Sequence, residues 1–257
     1  MKTLLAVLAT LVLAAPAASG HQDSLAIVSR APTGEDILKR VDRNMVIDQA
    51  SGESTMLIHG RRGTRTITSR FWKRGRENTF VEYLSPAREK GKKMLKLDDK
   101  LWTYTPEPTD RIITIAGHLL RQSVMGSDMS YEDMMENESL LDLYHARVVG
   151  PEETEGRPCW VVDLTAKVED IAYHSRRVWV DMERWLPLKE ERYAKSGKLL
   201  KTTRIPEVFW TGERWYPKRI LFKDMLSSGK GTEHVIESID FDVQVPDHLM
   251  TKAALRR

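Results

Sequence analysis

The spacing of apolar and polar residues changes twice along the chain. After residue 33 the apolar residues recur with helical spacing: Thr33 can cap the helix and Glu35 and Asp36 occupy its first turn. The apolar face of this helix is formed by Ile37, Leu38, Val41 and Met45. From about Thr55 onward the period becomes two, with β-branched and aromatic residues between closely spaced turn signals. This pattern predicts an amphipathic helix followed by a meander of antiparallel strands.

The clearest hairpin spans residues 93–104. If Asp98 and Asp99 form a two-residue turn, Leu95 lies opposite Trp102. One apolar and aromatic face then contains Leu95, Leu97, Trp102 and Tyr104. Similar alternation in later strands predicts that many strands of the sheet have one apolar face.

The meander is interrupted between Gly117 and Tyr144, where leucine and methionine are frequent. Ser130 is followed three residues later by Asp133, as at the start of a capped helix, so a short helical insertion is expected. No repeat or linker divides the chain. We therefore predict a flexible N-terminal segment over residues 21–32 and a single domain over residues 33–257.

Residues 1–20 have the pattern of a secretory signal peptide. Lys2 precedes an apolar run from Leu4 to Ala15, and small residues follow, so cleavage is expected near residues 17–20. No cysteine lies there to carry a lipid anchor, and the expected product is a soluble periplasmic protein. The one cysteine, Cys159, cannot form an internal disulfide, so a hydrophobic core must hold the fold together.

Charge and motifs point away from catalysis. The net charge is +3, with 40 basic and 37 acidic residues mixed along the chain, and export argues against nucleic acid as a partner. The seven histidines show no metal-ligand spacing, and Gly126-Ser127-Asp128 lacks the second glycine of a nucleophile elbow. We therefore expect no catalytic residue, no metal site and no cofactor.

The order of motifs resembles the outer-membrane lipoprotein-sorting proteins, a family related to the periplasmic lipoprotein carrier LolA. The resemblance covers roughly Thr33 to Leu255, and its most specific part is Ser123-Val124-Met125-Gly126-Ser127-Asp128-Met129-Ser130-Tyr131-Glu132-Asp133-Met134. The other matching segments are Val180-Asp181, Trp185-Leu186-Pro187-Leu188-Lys189, Gly197-Lys198-Leu199 and Val245-Pro246-Asp247. This resemblance implies a mainly β fold: a strongly curved antiparallel sheet forms an incomplete barrel, and helices cover its open side.

The resemblance also implies a hydrophobic cavity for the acyl chains of a lipoprotein or another lipid, and a role in transport to the outer membrane. An inner-membrane exporter and an outer-membrane acceptor are possible partners. The candidate cavity residues are Phe80, Leu95, Leu97, Trp102, Tyr104, Trp179, Phe222 and Phe241. The candidate lid residues are Ile37, Leu38, Val41, Met125, Met129 and Met134. A one-residue error in register would move every candidate of a strand to the other face.

Two other functions remain open from the sequence. The first is an adaptor or accessory module of an envelope lipid exporter, in which the sheet is filled by its own side chains and carries no cargo. The second is an exported hydrolase, which would require a serine or a carboxylate to meet a histidine in a cleft.

Overall fold

The computed structural model describes residues 31–136 and 138–257. Within them, Pro32–Arg257 form one compact unit. The predicted signal peptide lies outside the described residues, as does nearly all of the predicted N-terminal segment before residue 31.

A single antiparallel sheet of 13 strands forms the body of this unit. The strands are β1 (Gln49–Gly60), β2 (Gly63–Arg74), β3 (Asn78–Ser85), β4 (Lys93–Leu97), β5 (Lys100–Thr105), β6 (Arg111–Ile115), β7 (Tyr144–Thr154), β8 (Arg157–Ala166), β9 (Ser175–Asp181), β10 (Pro187–Tyr193), β11 (Leu199–Trp210), β12 (Trp215–Asp224) and β13 (Gly231–Asp240). Their order across the sheet is β6-β5-β4-β3-β2-β1-β13-β12-β11-β10-β9-β8-β7. Strands β6 and β7 are therefore the two edges, and the predicted incomplete barrel is confirmed.

The predicted hairpin has the expected register. Leu95 pairs with Trp102 and Leu97 with Lys100, so Asp98 and Asp99 form the two-residue turn. Asp98 adopts a positive φ of 51°, a conformation that aspartate tolerates better than most residues.

Helix α1 (Gly34–Met45) begins where the sequence predicts it. The Thr33 hydroxyl accepts a hydrogen bond from the Asp36 backbone N–H, and the Asp36 carboxylate accepts one from the Thr33 backbone N–H. The predicted apolar residues Ile37, Leu38 and Val41 are buried against β8 and β9. Their partners there are Val162, Leu164, Val178 and Val180.

The helical insertion joins the two edges of the sheet. Residues 116–143 connect β6 to β7 and contain two short α-helices, α2 (Tyr131–Met135) and α3 (Leu140–Leu143). Two 3₁₀ helices precede them, Gly117–Arg121 and Val124–Gly126. We call the sheet face that contacts α1 and this insertion the inner face, and the opposite face the outer face.

The C-terminal segment covers part of the outer face, which the sequence did not predict. Residues Asp247–Leu249 and Lys252–Arg256 form two 3₁₀ helices. Leu255 is fully buried, and Ala254 is 3% exposed. A short polar-looking segment can thus contribute core residues, because burial depends on what the segment packs against rather than on its average composition.

Candidate functional site

The insertion packs its apolar side chains onto the inner face of the first six strands. Buried residues there include Met56, Ile67 and Met94. The insertion residues packed against this cluster are Leu119, Leu120, Met125, Tyr131, Met134 and Met135. Of the predicted lid methionines, Met125 and Met134 belong to this contact, whereas Met129 lies beside an adjacent pocket. Methionine suits such a contact because its flexible side chain adapts to irregular apolar surfaces.

Polar side chains fasten the same insertion to the other half of the sheet. Asp133 caps α2 by accepting hydrogen bonds from the Ser130 backbone N–H at 2.7 Å and from the Ser130 hydroxyl at 2.8 Å. Its carboxylate also accepts hydrogen bonds from Tyr173 at 2.6 Å and Arg192 at 3.1 Å, and it forms an ion pair with Lys201. One side chain therefore terminates the helix and binds it to β10 and β11.

Arg176 forms the second half of this attachment. Its side chain is 3% exposed, and it donates to Glu136 of the insertion at 2.6 Å and to Glu190 of β10 at 2.9 Å. It also donates to the Tyr144 hydroxyl at 2.9 Å and lies 4.9 Å from the Tyr144 ring centroid. A buried arginine is stable only when its donors are satisfied, and here two carboxylates and a phenol satisfy them.

We call this group the polar latch. It consists of Asp133, Glu136, Tyr173, Arg176, Glu190, Arg192 and Lys201.

The charges of the latch reinforce one another. Burial by itself raises the pKa of Asp133, but Arg192 and Lys201 outweigh it and lower that pKa to about 2. Burial likewise opposes ionisation of Glu190, but Arg192 and Arg176 lower its pKa to about 2. Both carboxylates are therefore ionised at neutral pH, and the latch is held by charge-assisted hydrogen bonds.

A third attachment involves Asp128. Its carboxylate accepts a hydrogen bond from the Thr232 hydroxyl at 2.8 Å and one from the Asp224 backbone N–H at 2.9 Å. The Asp128 backbone N–H in turn donates to the Thr232 hydroxyl at 3.0 Å. The motif Met125-Gly126-Ser127-Asp128-Met129-Ser130-Tyr131-Glu132-Asp133 thus supplies two carboxylates that anchor the insertion at separate strands.

A pocket of about 380 Å³ lies where the insertion meets this part of the sheet. Its lining includes Ser123, Met129, Tyr173, Lys201 and Leu226, and is more polar than apolar. On the inner face of the first six strands, in contrast, the insertion's own side chains occupy the space above the apolar residues.

Five of the eight predicted cavity residues come together, but on the outer face, away from the insertion. Phe80, Leu95 and Tyr104 are buried on the outer face beside Leu255 of the C-terminal segment. Leu97 and Trp102 pack against the same cluster. Met125 and Met134 contact the inner face, where Met94 takes the place next to Leu95. Since neighbouring residues of a strand point to opposite faces, these cavity candidates and the lid lie on opposite sides of β3–β5.

The other three cavity candidates lie in separate places. Trp179 is buried with Val161 and Leu186, and its indole N–H donates to Glu152 at 2.7 Å. Phe222 pairs with Thr232 across β12 and β13, and Phe241 stacks edge-to-face on Tyr216 with ring centroids 5.4 Å apart. Acyl-chain binding by any of the eight residues stays a prediction.

The polar latch was not predicted from the sequence. The pattern of Ser130 and Asp133 indicates only a helix cap, and no local pattern gives a role to Arg176 or Arg192. The available signal was the length of the motif, which contains three carboxylates, Asp128, Glu132 and Asp133, where a cap needs one. In the described part of the chain, no group of three or more His, Cys, Asp or Glu side chains is arranged to hold a metal ion.

His234 lies on the inner face and has a perturbed titration. It pairs with Met56 and Ile220 on the neighbouring strands, and desolvation lowers its pKa from 6.5 to about 4. Between pH 6.5 and 4, the His234 imidazole therefore binds a proton in the unfolded chain but not in the folded chain. This contribution to stability is complete above pH 6.5 and is lost as the pH falls towards 4.

We expect the free energy of unfolding of the wild type to fall over this range by on the order of 3 kcal/mol because of His234. Denaturant titrations at pH 7, 5.5 and 4 would measure it, and H234Q should lack this part of the decline. Exposed His145 gives the matched control, H145Q, which should follow the wild type. A parallel decline in H234Q and the wild type would contradict the prediction.

Among the described residues, none of the helices has the length and the apolar composition that a membrane span requires.

Comparison with known proteins places this arrangement in a known fold. A family model with the description "Uncharacterized protein" matches residues 75–257. No curated protein matches the sequence significantly.

Three solved structures share the fold. A DUF1329 family protein from Desulfovibrio piger has a TM-score of 0.78 and 22% identity, covering 87% of this chain and 98% of its own. A protein domain from Vibrio parahaemolyticus, described as an outer membrane lipoprotein-sorting protein domain, has a TM-score of 0.76 and 20% identity, covering 88% of this chain and 98% of its own. A LolA superfamily protein from Nitrosomonas europaea has a TM-score of 0.70 and 23% identity, covering 87% and 100%. The resemblance found in the sequence is confirmed: the chain belongs to the family of uncharacterized proteins that the matching model describes, and it has the LolA-like fold of the outer-membrane lipoprotein-sorting proteins.

Proposed function

We propose that this protein is a non-enzymatic periplasmic carrier that shelters the acyl chains of lipids or lipoproteins against the inner face of its sheet. The observation that carries the proposal is the way the insertion is attached. An apolar contact with the inner face of β1–β6 is combined with a polar latch to β9–β11. The insertion would therefore act as a lid.

The energetics of acyl chains support such a lid. Exposing a chain of about sixteen carbons to water costs on the order of 10 kcal/mol, at about 0.8 kcal/mol per methylene. An acyl chain entering beneath the insertion would replace the contacts that Leu119, Leu120 and Met134 now make. Because one apolar contact replaces another, opening costs less than exposing the inner face to water.

The latch supports reversibility. Ion pairs and hydrogen bonds can exchange with water when the insertion moves, so the closed form is stable without being permanent. The proposal includes a role in transport to the outer membrane, with an inner-membrane exporter as donor and an outer-membrane acceptor, and the shared fold supports this role. It also includes export by the predicted signal peptide.

A fluorescent fatty acid titration tests the proposal. L120K would place a charge on the insertion side chain that packs against the inner face, and binding should fall at least tenfold. Leu249 is also partly buried but packs against the outer-face cluster, so L249K is the matched control and should bind normally. Lipid that co-purifies with the wild type would be identified by mass spectrometry. The proposal fails if the wild type binds no fatty acid, or if both variants lose binding equally.

One observation favours a second function. The insertion's own side chains fill the space above the inner face of β1–β6, as expected for an adaptor module of an envelope exporter that carries no cargo. That function predicts no bound lipid and a partner recovered by crosslinking in the envelope.

A further inference from the structure

Three neighbouring hairpin turns form a basic rim at one end of the sheet. They connect β1 to β2, β12 to β13, and β10 to β11, and these strands are adjacent in the order β2-β1-β13-β12-β11-β10. Hydrogen bonds tie the turns together: the Lys230 backbone N–H donates to the His59 carbonyl at 2.7 Å, and the Met225 N–H donates to the Leu200 carbonyl at 2.8 Å. The turns therefore lie side by side.

The residues of these turns carry positive charge only. The turn sequences are Gly60-Arg61-Arg62-Gly63, Met225-Leu226-Ser227-Ser228-Gly229-Lys230 and Ala194-Lys195-Ser196-Gly197-Lys198. All five basic side chains are exposed, and none of the three segments contains an acid. The next hairpin, between β3 and β4, adds Arg88 and Lys90, and its one acid, Glu89, is buried and paired with Arg88 and Lys92.

The hairpin turns at the opposite end of the sheet are mainly acidic, and we call this end the acidic rim. Its hairpin turns contain Glu77, Asp98, Asp99, Glu155, Glu183 and Glu213. Arg76, Arg184 and Arg214 only partly offset these charges. On the basic side, acids return in the two flanking loops, at Glu107 and Asp110 after β5 and at Glu169 and Asp170 after β8. At this end of the sheet, the excess of positive charge is thus confined to the basic rim.

Two large apolar side chains project from the centre of the basic rim. Leu226 is 62% exposed and Met225 is 46% exposed. An acidic protein surface as partner would account for the charges. It would not account for the exposure of these two apolar side chains. A bilayer with anionic headgroups satisfies both features, since phosphates attract the arginines and lysines while the interface accepts leucine and methionine.

We propose that the basic rim docks on an anionic phospholipid surface, with Leu226 and Met225 entering the interface. The pocket beside the insertion is lined by Leu226, so docking brings the edge of the lid next to the lipid. Docking concerns the outside of the protein and holds whether or not acyl chains bind beneath the insertion.

Vesicle flotation tests the docking. The protein, purified after expression of the full chain, is mixed with vesicles of phosphatidylglycerol and phosphatidylethanolamine or with vesicles of phosphatidylcholine. We expect binding to the anionic vesicles only, decreasing as salt is raised from 50 to 500 mM. R61E/R62E should weaken this binding by about tenfold or more, and L226S by several-fold.

Matched controls come from outside the basic rim. K39E/K100E reverses the charge of two exposed lysines, one on α1 and one on the acidic rim. W210S removes an aromatic side chain that is 53% exposed at another hairpin. Both should bind vesicles as the wild type does. All variants share the same N-terminal residues, so differences between them report the rim.

Absence of binding to the anionic vesicles overturns the docking proposal, as does an equal loss in the controls. Fatty acid titration of the same variants without vesicles keeps the two proposals apart. Loss of vesicle binding with normal fatty acid binding identifies a defect of docking alone, and the reverse identifies a defect of cargo binding.

Discussion

Replacing Asp133 by asparagine should lower the free energy of unfolding by about 3 kcal/mol. The Asp133 side chain is 7% exposed, and its partners Arg192 and Lys201 are 13% and 14% exposed. Asparagine keeps the shape of the helix cap but removes the charge, so Lys201 loses this carboxylate and Arg192 is left with Glu190. A fluorescent fatty acid should also enter D133N faster, because the lid is held less firmly. Denaturant titration and stopped-flow fluorescence measure the two effects.

Glu132 supplies the control on the same helix. E132Q makes the same chemical change one residue away, outside the latch, and should shift stability by less than about 0.5 kcal/mol. Equal destabilisation of both variants would show that the latch contributes nothing special.

Acid should erase the difference between D133N and the wild type. The folded pKa of Asp133 is about 2, below its ordinary value of 3.8, so its contribution is present above pH 4. It is lost as the pH falls towards 2, because protonation removes the same charge as the substitution.

The largest effect on stability outside the latch is expected for Leu255. L255A should lower the free energy of unfolding by about 3 kcal/mol, since it leaves a cavity beside Phe80, Leu95 and Tyr104. Leu255 is fully buried, and the surrounding sheet cannot close the space. Thermal or denaturant unfolding measures this loss, while fatty acid affinity should remain unchanged.

L226A removes the same side-chain atoms from an exposed turn. It should change stability by no more than about 0.5 kcal/mol. If L255A instead abolished fatty acid binding at unchanged stability, the outer face would be the binding surface, and the location proposed for the cargo would be wrong.

Local patterns were sufficient to predict the first helix, the meander of strands and its helical insertion, but not the C-terminal 3₁₀ helices. The cap at Thr33, the buried face of α1 and the turn at Asp98 and Asp99 all depend on residues within a few positions of one another. Such signals remain readable in the sequence because hydrogen bonding and side-chain spacing act locally. The order of motifs then identified the fold.

The sheet face on which a side chain lies, and the distant residue that it contacts, could not be predicted in this way. The sequence shows that Leu95 and Trp102 share a face, but which face receives the insertion depends on the C-terminal segment, more than 140 residues later. The latch likewise joins Asp133 to Lys201 and Glu136 to Arg176 over long separations. Charged residues of this kind look like solvated surface until the partner strand is known.

Hydrophobic periodicity alone identifies a mainly β chain with two helical covers, because it reports the local geometry of the backbone. The positions of the charges, in contrast, depend on how the strands are arranged in the fold. Basic and acidic residues are mixed along the chain, and the net charge is only +3. In an antiparallel meander, however, successive turns lie at opposite ends of the sheet. The fold therefore separates the mixed charges into the basic rim and the acidic rim.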